Sequence, residues 1–197
     1  MATASFRWLW VERGTGAKEA VSVWQPQAPS SEYALIGNFD RATHLQPTGG
    51  ALVVKAVNED PAYPLLKPPS ITNFGGSHGV RAISRTEASE KPIMPQGYVA
   101  IGMVGNPGFD KPRLYNYRCV REDLFERRPY GIRFFHNKGS GSRMEGAFFG
   151  ILDFPGLDHT GWFQKERRLQ GKQSFLVVPS RDVTTSLTRE DRLRGRR

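Results

Sequence analysis

Short apolar runs, each bounded by turn-forming residues, recur along the whole chain. Four of them are residues 20–24 (AVSVW), 51–57 (ALVVKAV), 98–102 (YVAIG) and 174–178 (SFLVV). Their length and their content of β-branched and aromatic residues are typical of β-strands. Helical periodicity is weak, since the best candidate, residues 121–128, spans only about two turns and ends before Pro129. The pattern therefore predicts an all-β fold.

Two motifs recur along the chain in the same order and with nearly the same period. Gly14 has an aromatic residue four positions before it and another ten positions after it, and Gly139 has the same neighbours. A fainter copy of this turn surrounds Gly76, so the three glycines are 62 and 63 residues apart. A second motif, Tyr-x-x-x-Gly, begins at Tyr33 and again at Tyr98. Together the motifs predict three repeats of about 63 residues.

A repeat of this length holds four or five strands, and a single sheet of that size cannot bury its own face. Three such sheets around a shared axis bury a common core, which predicts a pseudo-threefold β-prism. A β-trefoil and a row of small tandem sandwiches remain open as alternatives. We expect one β-rich domain over residues 1–180, with repeats at about 5–66, 67–129 and 130–180, followed by a basic, flexible tail at 181–197.

Charge and cysteine content narrow the functional classes. The 197 residues carry 28 Lys and Arg against 19 Asp and Glu, a net charge of +9, and residues 165–197 contribute +6 of it. The single cysteine, Cys119, excludes an internal disulfide framework and a cysteine-rich zinc site. Residues 1–10 lack the pattern of a signal peptide. These observations lead us to expect a cytoplasmic protein, or one released without a signal peptide.

Catalytic motifs are absent from the sequence. The four histidines, at 44, 78, 136 and 159, show no spacing that favours a metal site. Ser140 lies between two glycines, but the surrounding pattern predicts a hairpin and not the strand-to-helix turn of a nucleophile elbow. No phosphate-binding loop motif occurs. We therefore expect a protein that is not an enzyme, with no metal and no cofactor.

Several strings resemble the family of vacuolar protein sorting-associated protein 62. They are residues 24–26 (WQP), 98–102 (YVAIG) and 111–124 (KPRLYNYRCVREDL), and the resemblance extends over about residues 5–164. Adaptor-binding repeats of large vacuolar sorting lipid-transfer proteins carry a related pattern. The family turns commonly have Asp before Gly-Ser-Gly, where this chain has Glu12 and Asn137. The resemblance implies a β-rich recognition module for sorting, adaptor contact or attachment to a surface.

Equivalent loops of a threefold fold gather at one end, so the glycine-rich turns are the predicted binding surface. Tyr130 and Trp162, which each neighbour a glycine, are further candidates, because an exposed aromatic side chain can stack on a sugar ring or a proline of a peptide. The full set of predicted ligand-binding residues is Glu12, Arg13, Thr15, Lys18, Ser77, His78, Tyr130, Asn137, Lys138, Ser140, Arg143 and Trp162. The set is polar and basic, which favours glycans or an anionic membrane surface as the partner.

Three functional hypotheses follow. The first is a lectin-like, non-catalytic module that binds glycans or a membrane surface, for example as the targeting part of a toxin system. The second is a protein-interaction adaptor that binds a peptide within a larger toxin or sorting complex. The third is weak binding of nucleic acid or another polyanion by the basic tail that begins at Arg189 and ends at Arg197.

Overall fold

The computed structural model describes residues 2–13, 16–57, 60–69, 80–82, 88–90, 95–100, 104–106, 113–129, 132–138, 147–149, 162–164 and 175–179. In these ranges the secondary structure consists of β-strands and one short 3₁₀ helix, Glu122–Leu124. The predicted all-β class is confirmed. Within the same ranges, no helix has the length and apolar character needed to cross a lipid bilayer.

Seventeen strands, most of them two to five residues long, make up the described structure. In chain order they are β1 (Ala2–Thr3), β2 (Phe6–Val11), β3 (Ser22–Pro26), β4 (Ala34–Leu35), β5 (Phe39–Arg41), β6 (Ala51–Val54), β7 (Leu66–Lys67), β8 (Val80–Ala82), β9 (Ala88–Glu90), β10 (Tyr98–Val99), β11 (Val104–Asn106), β12 (Cys119–Arg121), β13 (Phe125–Pro129), β14 (Arg133–His136), β15 (Ala147–Phe149), β16 (Trp162–Gln164) and β17 (Phe175–Pro179).

One pairing pattern occurs three times along the chain, always antiparallel. A three-stranded sheet forms from β2, β3 and β5, from β8, β9 and β11, and from β14, β15 and β16. The strand before each sheet pairs with the strand after it, as β1 with β6, β7 with β12 and β13 with β17. In the first unit β4 also pairs with β6, and in the second β10 pairs with β12. We name residues 2–54, 66–121 and 125–179 the first, second and third units.

The hairpins of the first and third units share their register. Trp10 lies opposite Val23 in the first, and Phe135 lies opposite Phe148 in the third. Both hairpins carry a β-bulge directly before this pair, which skips one residue of the leading strand. The two glycine-rich turns are therefore entered from the same backbone geometry, as their equal aromatic spacing predicts.

The Tyr-x-x-x-Gly motif also begins with the same local structure in two units. The backbone N–H of Tyr33 donates to the carbonyl of Ser30 at 3.2 Å, and that of Tyr98 donates to the carbonyl of Pro95 at 3.1 Å. Each bond closes a four-residue turn that leads into a short strand, β4 or β10. Gly97 has a φ of 78° in the second turn, a conformation that glycine adopts without strain.

Buried clusters join residues of different units. One cluster combines Leu9, Trp10, Val21 and Val23 of the first unit with Phe135 and Phe148 of the third. Another combines Leu35 and Val53 of the first unit with Val104 and Tyr117 of the second. Small sheets cannot bury their own faces, and here they bury them against one another. The boundaries of the three sequence repeats and the β-prism arrangement stay predictions.

Truncating Phe148 is expected to lower the free energy of unfolding by about 3–5 kcal/mol, because a large buried ring is replaced by a cavity. Phe148 is 1% exposed, and its ring centroid lies 5.6 Å from that of Phe135. Urea denaturation of Phe148→Ala measures the loss. Ile132→Ala is the control, since Ile132 is 72% exposed and its loss should stay within about 0.5 kcal/mol. Equal losses in the two variants would show that Phe148 is not part of a shared core.

Candidate functional site

The predicted ligand-binding residues fall into three groups in the structure. Arg13, Lys18 and Lys138 are exposed beside the glycine-rich turns of the first and third units. Glu12 and Asn137 are buried, with 6% and 3% of their surfaces exposed. The remaining positions lie outside the described residues, except that the backbone of Trp162 is described in β16; they are Thr15, Ser77, His78, Tyr130, Ser140 and Arg143.

Glu12 lies below the turn of the first hairpin and not at its tip. Its backbone N–H donates to the carbonyl of Val21 at 2.8 Å, which extends the ladder of the hairpin by one bond. Its Oε2 lies 3.7 Å from Nε2 of His44, in the loop that follows β5. The pairing with His44 had no signal in the sequence, since the two residues are far apart along the chain and share no motif.

His136 has a comparable supporting position in the third hairpin. Its side chain is buried, and Nδ1 accepts a hydrogen bond from the backbone N–H of Lys138 at 3.1 Å. Because the bond fixes the backbone two residues after His136, it orients the chain as it enters the turn.

The first and third hairpins are held together below their turns. Trp10 and Phe135, each four residues before its first turn glycine, belong to the same buried cluster. Nη2 of Arg133 on β14 also lies 3.5 Å from Oε1 of Glu19, which follows the first turn. The equal register makes Arg13 and Lys138 equivalent, since each is the third residue after its aromatic anchor. Two exposed cations thus occupy the same position in neighbouring hairpins.

A second feature is a polar cleft of about 350 Å³ where the first unit meets the second. The residues that line it are Ser31, Glu32, Tyr33, Ala34, Lys55, Ala56, Leu66, Tyr115, Asn116 and Arg118. The sequence did not indicate this cleft. Its walls come from four separate stretches of chain, and the only local signal was the turn motif that contains Tyr33.

Charged groups and tyrosines dominate the walls of the cleft. Nζ of Lys55 lies 2.9 Å from Oε1 of Glu32 and 5.9 Å from the ring centroid of Tyr33. The hydrogen bond to Glu32 raises the pKa of Lys55, which therefore stays charged. Nη1 of Arg118 donates to the backbone carbonyls of Tyr115 and Tyr117 at 2.9 and 2.8 Å. The cleft therefore offers two cations, one carboxylate and two aromatic rings.

One known protein family matches most of this chain. The family model of vacuolar protein sorting-associated protein 62 matches residues 1–142. The chain belongs to this family. The match covers the first two units and the leading hairpin strand of the third. It confirms the resemblance that residues 24–26, 98–102 and 111–124 indicated. A search of curated proteins gives no match.

A member of the same fold is found among solved structures. The crystal structure of GNIP1Aa from Chromobacterium piscinae superimposes with a TM-score of 0.67 at 21% sequence identity. The superposition covers 95% of this chain and 39% of the GNIP1Aa chain. This chain therefore spans well under half the length of GNIP1Aa. At this level of identity the likeness shows the fold.

The single cysteine of this chain lies in the core. Cys119 is fully buried on β12, and burial raises the pKa of its thiol to about 11. A raised pKa keeps the thiol protonated and unreactive near neutral pH, which is opposite to what a nucleophilic cysteine needs. Among the described residues, no group of three His, Cys, Asp or Glu side chains could hold a metal ion.

The raised pKa of Cys119 makes the free energy of unfolding depend on alkaline pH. The unfolded thiol loses its proton near its ordinary pKa of 9.0, whereas the folded thiol keeps it up to about pH 11. Stability should therefore fall between these values by about 2 kcal/mol through this group. Urea denaturation across this range should show a shallower decline for Cys119→Ala than for the wild type. Parallel declines would contradict the burial of the thiol.

Proposed function

We propose that this family member is a non-catalytic recognition module whose glycine-rich turns bind an anionic, hydroxyl-rich group. A phosphorylated lipid headgroup and an acidic glycan share this chemistry. The observation that carries the proposal is the pair of equivalent hairpins, which expose Arg13 and Lys138 at the same position. Lys18 adds a third exposed cation to the first turn.

The support beneath these cations favours a fixed binding surface. Buried Glu12 contacts His44, and buried His136 holds the backbone of Lys138 by a hydrogen bond. Cations on an ordered backbone lose less conformational entropy when they bind than cations on a flexible tail. Guanidinium and ammonium groups also form strong hydrogen bonds with phosphate and carboxylate oxygens. The turns therefore suit an anion better than a neutral sugar.

Within a longer protein, such a module would direct the whole protein to a surface that carries the anion. The same fold accounts for 39% of the length of GNIP1Aa, so it occurs there beside other sequence. A toxin system or a sorting complex that must attach to a cell or an organelle surface is the kind of assembly in which such a module serves. In that setting the lectin-like and the membrane-surface hypotheses differ only in the source of the anion.

The test measures binding of the full-length chain to two sets of probes at low and high salt. One set is a glycan array that includes sialylated and sulfated members, and the other is phosphatidylcholine vesicles with and without phosphatidylserine. The double variant Arg13→Glu, Lys138→Glu should lower the affinity by about tenfold or more, because two attractive charges become repulsive. Array binding without vesicle binding assigns a glycan, and the reverse assigns a headgroup.

Two control variants separate the turns from overall charge. Arg7→Glu with Arg113→Glu makes the same change in net charge at exposed positions away from the turns. If it weakens binding as much as the turn variant, the net charge and not the turns attracts the ligand. Replacing the five arginines between Arg189 and Arg197 by glutamine tests the tail. Binding that is lost only in this variant assigns the partner to the tail and refutes the proposal.

A further inference from the structure

Two equivalent tyrosines of the first and second units differ in what covers them. Tyr33 and Tyr98 end matching turns, before β4 and at the start of β10. The strand that follows Tyr33 pairs with β6, so that Ala34 lies opposite Val54, and Tyr98 lies opposite Arg121 of β12. The same pairing places Lys55 at the position that Arg121 has in the second unit.

In the second unit, residues 60–64 of the same chain cover Tyr98. We name these residues the covering segment. Tyr98 is 4% exposed, and the ring of Tyr63 lies edge-on to it with 6.4 Å between centroids. The hydroxyl of Tyr98 donates to the carbonyl of Pro64 at 2.5 Å. The guanidinium of Arg121 lies over the ring of Tyr63 at 4.8 Å. The covering segment thus supplies one aromatic ring and one carbonyl oxygen.

The covering segment is itself a compact turn. The backbone N–H of Tyr63 donates to the carbonyl of Asp60 at 3.0 Å, and Oδ1 of Asp60 accepts from the N–H of Ala62 at 2.9 Å. These two bonds fix the backbone so that the aromatic ring projects from the end of the turn. Both hydrogen bonds form within residues 60–63, so a short peptide with this sequence contains all the groups that form the turn.

In the first unit the corresponding space is the open polar cleft. Tyr33 is only half buried and lines it together with exposed Tyr115. Lys55, the counterpart of Arg121, lies at the ring of Tyr33 and remains half exposed. The volume of about 350 Å³ is sufficient for an aromatic side chain and the peptide groups next to it.

We propose that this cleft binds a peptide segment of a partner protein, with an aromatic side chain that is followed by an accessible backbone carbonyl. The aromatic ring of the partner takes the place that Tyr63 has in the second unit, and its face receives the cation of Lys55. The following carbonyl accepts a hydrogen bond from the hydroxyl of Tyr33. Because Lys55 and Arg118 outnumber Glu32 in the cleft, an acidic residue three positions before the aromatic one favours binding, as Asp60 precedes Tyr63.

The chain supplies the probe for this site. A synthetic peptide with the sequence of residues 60–67 (DPAYPLLK) should bind the full-length protein saturably with one-to-one stoichiometry in calorimetry. The same peptide with alanine in place of its tyrosine should bind at least about tenfold more weakly, because the ring provides most of the contact. Equal affinity of the two peptides, or no saturable binding of either, overturns the proposal.

Variants of the protein locate the binding in the cleft. Tyr33→Phe keeps the ring and removes the hydroxyl, so we expect a loss of about fivefold. Lys55→Gln removes the cation and should cost about two- to fivefold. Arg133→Gln is the matched control, since it also removes one exposed cation that contacts a glutamate, at 3.5 Å from Glu19. Its affinity should equal that of the wild type.

The outcomes are distinct from those of the turn-binding experiment. If Tyr33→Phe and Lys55→Gln bind the peptide as the wild type does, the peptide occupies another surface and the proposal is wrong. If Arg133→Gln weakens binding as much as Lys55→Gln, general charge attraction explains the result, and the proposal is wrong as well. Circular dichroism of each variant confirms that it is folded. Tyr33→Phe should leave glycan and vesicle binding at the turns unchanged.

Discussion

Tyr117 joins the first unit to the second, and the arrangement of both depends on this contact. Its hydroxyl donates to Oδ1 of Asn38 at 2.7 Å and accepts from Nε2 of Gln25 at 3.0 Å. Burial raises the pKa of this hydroxyl, so it stays protonated and remains a donor. Backbone bonds add to the link, because Leu35 donates to the carbonyl of Asn116 and accepts from the N–H of Arg118. A small sheet alone cannot bury its face, and this contact fixes the partner against which it does so.

The cleft and the turns are consequences of the same packing between units. The backbone bonds around Leu35 hold the loop at residues 113–118 against β4, which brings Tyr115 and Arg118 to the side of Tyr33. The cluster around Trp10 and Phe135 packs together the hairpin strands of the first and third units that lead into the glycine-rich turns. Neither proposed binding surface belongs to one unit alone.

Local patterns in the sequence predicted the all-β class and four of the strands, β3, β6, β10 and β17, each of which lies mostly within an apolar run. The turn glycines and their aromatic neighbours predicted two matching hairpins, and the Tyr-x-x-x-Gly motif marked two matching turns, because each is defined within about ten residues. Contacts between distant stretches could not be predicted in this way. The burial of Glu12 against His44 depends on a loop that returns to the first hairpin, and nothing in either segment encodes the other. The cleft was missed for the same reason.

The role of Tyr117 is tested most directly by a double-mutant cycle with Asn38. Urea denaturation of Tyr117→Phe, Asn38→Ala and the double variant gives the coupling free energy between the two side chains. A hydrogen bond in a buried contact between units predicts a coupling of about 1 kcal/mol, because the second change costs less once the first has removed the bond. Strictly additive losses would contradict the account, since they would show that Tyr117 and Asn38 stabilise their units independently.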